Sequence, residues 1–115
     1  MLTKEEIREI IEEEIEVDCY HEMEVHLGWA AYLGDQINYP FKAKWPVKSA
    51  KGGSRDERVT VVRNISNDGE YNGGPYLVEV EYKGDLLQAR LSDLTPIDAD
   101  EETAEAMEVW KRREE

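Results

Sequence analysis

The stretch PYLVEVEYKGDLLQARLSDLTPID, residues 75–98, decides the fold. Between Tyr76 and Tyr82 the side chains alternate, with Val78 and Val80 on one face and Glu79 and Glu81 on the other, which is the period of a half-buried β-strand. Lys83, Gly84 and Asp85 supply a tight turn, and residues 86–91 return as a Leu-rich strand. Residues 94–97 close the run as a final short strand or turn. Upstream, the β-branched run at residues 59–63 reads as another strand, separated from residue 76 by the Gly- and Asn-rich loop 66–75. Strands so short and so few cannot build a sandwich, so a small antiparallel SH3-like barrel is the economical arrangement.

Before the barrel, residues 39–57 read as a basic connector. Pro40, Pro46 and the KGGS sequence break any periodicity, and Lys42, Lys44, Lys48, Lys51, Arg55 and Arg58 form one basic island across it. Residues 1–38 are an acidic helical part. Thr3 and Glu6 have the spacing of a capping box, and Ile7, Ile10, Ile11 and Ile15 form an apolar stripe at helical period. A second helix spans about residues 22–36 and is expected to turn Met23, Leu27, Ala30 and Leu33 to the core, with Trp29 and Tyr32 also inward. At the other end Asp100 is the expected N-cap of a helix that faces the body through Ala104, Met107 and Trp110, while Lys111, Arg112 and Arg113 suit its C-terminal dipole. The expectation is one α+β domain, with N-terminal helices packed on an SH3-like antiparallel barrel (58–97) and a C-terminal helix (98–115).

A chain of 115 residues is long enough to remove roughly two thirds of its unfolded surface from water, so no disulfide or metal is obligatory for folding. Three Trp and six Tyr supply large apolar groups despite a net charge of −13. Such an anionic surface repels nucleic acid and anionic lipid and concentrates cations, so neither DNA nor a membrane is expected as partner. A single cysteine excludes an internal disulfide. No apolar run is long enough to cross a bilayer, and MLTKEEIREI reads as an acidic helix start rather than a secretion signal, so a cytoplasmic location is expected.

The segment LGWAAYLGDQINYPFKAK, residues 27–44, joins the second helix to a Tyr-Pro-Phe exit and carries one isolated acid, Asp35. Pro40 forbids further helix, so Asp35 falls near the helix end, where a carboxylate can turn toward a ligand. With its GW…YL stretch, its acid and its aromatic-Pro-Phe sequence in this order, the segment resembles the calcium-binding protein family first described in cyanobacteria. VDCY at residues 17–20 is similar to the family's VDAY-type sequence, and residues 75–98 to its strand, turn and strand, so the resemblance spans about residues 13–98. Ala30 and Ala31 replace positions that are often aromatic, and Gly34 stands where relatives commonly carry an acid. The resemblance implies sequestration of calcium rather than catalysis.

Calcium takes six to eight oxygens from carboxylates, carbonyls and water. Asp18 and Glu22, four residues apart, share a face if that segment is helical, Glu14 precedes them by four more, and Asp35 is expected to approach from the far end of an antiparallel helix. Asp35, Asp18 and Glu22 are therefore the expected metal ligands, with calcium as the ion and Glu79, Glu81 or Asp93 as alternatives where helices meet barrel. Asn64, Ser66, Asp68 and Gly69 imitate the start of an EF-hand loop, but its last position would be Pro75 and no helix follows. Asp68 and Glu70 remain candidates for a second, weak ion. His21 and His26 are five apart, which diverges them by about 140° on a helix, and with Cys19 they make at most an adventitious zinc site. No Ser or Cys nucleophile has a base and orienter, and no Gly-rich loop opens a helix, so no enzyme is expected. The other reading is a non-catalytic SH3-like adaptor that binds a peptide or basic protein through Tyr71, Tyr76 and Tyr82.

Overall fold

The computed structural model describes residues 2–17, 21–48, 52–65 and 73–113. The chain begins with α1 (Lys4–Ile10), a π-turn (Ile11–Ile15) and α2 (Glu22–Gln36). The strands β1 (Phe41–Lys48), β2 (Ser54–Asn64), β3 (Leu77–Tyr82) and β4 (Asp85–Arg90) follow. A 3₁₀ turn (Leu91–Asp93), β5 (Thr95–Asp98) and α3 (Glu101–Lys111) complete it.

The helix starts follow from local chemistry. Thr3 Oγ1 accepts from the Glu6 N–H at 3.1 Å while Glu6 Oε1 accepts from the Thr3 N–H at 3.0 Å, so two N–H groups without helical partners are satisfied reciprocally. Asp100 caps α3 by accepting from the Thr103 N–H at 2.7 Å. After α1 the Glu16 N–H reaches back five residues to the Ile11 carbonyl, the signature of the π-turn. Ile7 in α1 and Ile15 at the end of the π-turn are buried, and Ile10 and Ile11 are half-buried.

The sheet is antiparallel in the order β4-β3-β2-β1-β5. Its inner face presents Phe41 and Ala43, Val59 and Val61, Val78 and Val80, and Ala89, all buried in one cluster with Leu33, Met107 and Trp110 of the helices. Among the described residues no ladder joins β4 to β5, so the sheet is open and the expected closed barrel is replaced by a five-stranded sheet with two edges. The turn between β3 and β4 is a two-residue hairpin in which both Lys83 (φ 51°) and Gly84 (φ 87°) adopt the left-handed region, as the right-handed twist of the strands requires.

Residues 39–57 are not a connector. They hold all of β1 and the first part of β2, paired from Phe41↔Val61 to Trp45↔Glu57 and beyond. Phe41 and Ala43 point inward and Lys42 and Lys44 outward, an alternation hidden by the basic residues. Pro46 is tolerated because β5 pairs with β1 only from Lys42 to Lys44, which leaves β1 an edge strand at Pro46. A second correction concerns α2. Met23 and Leu27 are 60% and 40% exposed, and the buried side of the helix is Trp29, Ala30 and Leu33. Tyr76, expected on an exposed groove, is in the core, and Tyr71 lies outside the described residues.

Candidate metal centre

Asp35 sits in the last turn of α2, exposed, with no basic residue in that turn and no hydrogen bond or ion pair among the described residues. The last carbonyls of a helix lack intrahelical partners and carry the negative end of its dipole. The Ile37 N–H satisfies one of them, at Leu33. A carboxylate beside such carbonyls offers hard oxygen donors in a negative field, which is what calcium requires. Among the described residues Asp35 is thus one hard oxygen donor at this end of α2, and calcium takes six to eight.

Glu22 occupies the first turn of the same helix, 88% exposed and 3.5 Å from His26 Nε2. Thirteen helical steps separate it from Asp35, about 20 Å along the axis, so the structure does not bring these two carboxylates to one ion. Asp35 does not approach Glu22 from an antiparallel helix, because α2 is one unbroken helix that contains both. Asp18 lies outside the described residues, as do Cys19, Asp68 and Glu70. His26 is held against the backbone of Gly73, where a Cβ would come within 2.3 Å of its ring. Among the described residues no three His, Cys, Asp or Glu side chains converge as a ready-made metal cage.

The alternatives at the sheet are occupied or dispersed. Glu79 accepts from Arg63 Nε at 2.7 Å. Glu81 pairs across the ladder with Thr60, and Asp93 lies near the Lys111 ammonium, whose ionisation is lowered chiefly by burial. A further acidic feature is an open groove where Glu6, Glu9, Glu13 and Glu14 meet Glu105 of α3. Beside it the Tyr32 phenol is pushed up to about 12, first by burial and then by the Glu105 and Glu14 carboxylates. Only the fold reveals this groove, since Glu105 is remote in sequence. Nearby, Glu16 Oε2 accepts from Trp29 Nε1 at 2.9 Å, and Trp29 stacks edge-on against Trp110 at 5.4 Å.

An acidic α+β domain with exposed carboxylates along its helices, and without a thiol or imidazole cluster among the described residues, is of the class suited to hard cations. The model of the CcbP calcium-binding family, described as "Calcium binding", matches residues 9–112, and the chain belongs to that family. It is similar to the crystal structure of Anabaena CcbP, with 36% identity and a TM-score of 0.78 over 96% of this chain and 89% of that one. A structure described as a calcium-binding protein in the calcium-binding form is likewise 36% identical, with a TM-score of 0.76 over 93% and 87% of the two chains. No curated protein sequence matches significantly. No helix among the described residues is long and apolar enough to cross a membrane.

Proposed function

We propose that the chain binds calcium as a non-catalytic, intracellular buffer or sensor without EF-hands, and that Asp35 anchors the site. The observation that carries this is the position of Asp35, an exposed carboxylate in a helix C-terminal turn that has no basic residue. A bound cation there would complement both the carboxylate and the dipole. Membership of the calcium-binding family supports the choice of ion. Glu22 then belongs to a separate acidic end of α2, because helix length keeps it away from Asp35. We also read the sheet as SH3-like in plan, from its strand order and the 3₁₀ turn before β5.

Calcium titration calorimetry on chelator-treated protein, with magnesium in excess, tests the reading. The native chain should bind saturably, Asp35→Asn should weaken binding at least tenfold, worth about 1.4 kcal/mol, and Glu22→Gln should leave that site intact. Equal affinity in Asp35→Asn would remove Asp35 from the site. Binding that magnesium abolishes in the native chain would reduce it to a diffuse anionic surface.

A further inference from the structure

The solvent side of α2 carries an apolar stripe although the chain is highly charged. Met23, Leu27, Ala31 and Gly34 follow one another at intervals of four, four and three, which stacks them in one stripe along the helix. Met23 is 60% and Leu27 40% exposed, and Ala31 and Gly34 are exposed as well. The opposite side is already used, with Trp29, Ala30 and Leu33 in the core. In a chain that is 36% charged, a surface helix ordinarily turns its charges outward. Here Glu24 and Asp35 border the stripe, each one position beyond a stripe residue and so on one flank, while Glu22 stands at the start of the helix. The stripe is about 17 Å long, three turns, which is the footprint of a short helix.

We propose that this stripe docks a basic amphipathic helix of a partner protein. Charge decides the occupant. The flank carries Glu24 and Asp35 and the whole chain −13, so a cationic helix is attracted. A second copy would instead bring another −13 and set acidic flanks together. The partner would lay its apolar side on Met23 and Leu27, run its Lys or Arg residues along Glu24 and Asp35, and approach closely over Ala31 and Gly34. The proposal goes beyond calcium binding and does not rest on it, and because Asp35 is shared with the proposed calcium site the peptide is tested with the ion removed.

The test is fluorescence anisotropy with a labelled synthetic amphipathic peptide of Leu and Lys, in chelator at physiological salt, against a Leu and Glu peptide of the same pattern. The native chain should bind the Leu-Lys peptide saturably and ignore the other. The double variant M23E/L27E removes the apolar anchors while adding negative charge, and should lose at least tenfold in affinity, about 1.4 kcal/mol. Equal or tighter binding by that variant would overturn the proposal in favour of diffuse charge attraction, as would failure of the native chain to bind. A native dimer in light scattering that M23E/L27E converts to monomer would overturn it too, by giving the stripe to a second copy. If circular dichroism shows the double variant unfolded, Ala31→Glu alone is read in the same way.

Discussion

Thr103 shows how one buried polar side chain joins two elements. Its side chain is fully buried, and its Oγ1 accepts from the Asn38 N–H at 2.9 Å, so the exit of α2 is held to the start of α3. Asp100 extends the junction by accepting from Asn38 Nδ2 at 3.1 Å. Thr103→Val keeps the shape but strands the Asn38 N–H, and should cost about 1–3 kcal/mol in urea unfolding. Tyr32 makes a prediction at the alkaline end. Its folded value is raised from 10.0 to about 12, so the stabilising preference for the neutral phenol is complete below the unfolded value and is lost as pH rises through the folded one. Ultraviolet titration of tyrosine should find one late-ionising group, and Glu105→Gln should bring it earlier by removing the larger of the two carboxylate effects. Residue-scale features were legible where they were local. Thr3, Glu6 and Asp100 announce their caps within three positions, whereas Thr103 and Glu105 gain their roles from partners far along the chain.

Among the elements, the β3–β4 hairpin follows most directly from its sequence. Val78 and Val80 alternate with Glu79 and Glu81, and a Gly follows Lys83 at the turn. Gly84 has open space around it, so Gly84→Ala tests the backbone alone, and the left-handed φ should cost about 1–2 kcal/mol in thermal or urea unfolding. β1 was not legible for the opposite reason. Its outward lysines and Pro46 suggest a linker, and only pairing with β2 and β5 reveals Phe41 and Ala43 as an inner row. α2 misleads differently, because apolar residues occupy both of its sides and periodicity cannot say which side is buried. Its length was legible, and that length is what divides the candidate site. A helix running from Glu22 to Gln36 cannot deliver Glu22 and Asp35 to the same ion. The Asp18 and Glu22 spacing is a local relation, while the full ligand set depends on how segments meet.

For the whole molecule, charge is segregated. The helical segments are acidic, while Lys44 and Arg58 lie directly opposite each other across β1 and β2. Calcium bound to the native state alone should stabilise it by mass action, about 2.7 kcal/mol when free ion stands at 100 times the dissociation constant. For a domain of this size that is a rise in Tm on the order of 10 °C, which differential scanning calorimetry in calcium against chelator would detect. An unchanged Tm would contradict binding to the folded state. The N- and C-terminal helices are also tied together. The Leu2 N–H donates to Glu108 Oε2 at 3.0 Å, and Arg112 Nη1 donates to the Leu2 carbonyl and to Glu108. This clasp joins residues made early in translation to residues made late. On the ribosome, α1 must therefore wait with its acidic surface unclasped until residues 108–112 leave the exit tunnel, so the fold cannot be completed segment by segment as the chain emerges.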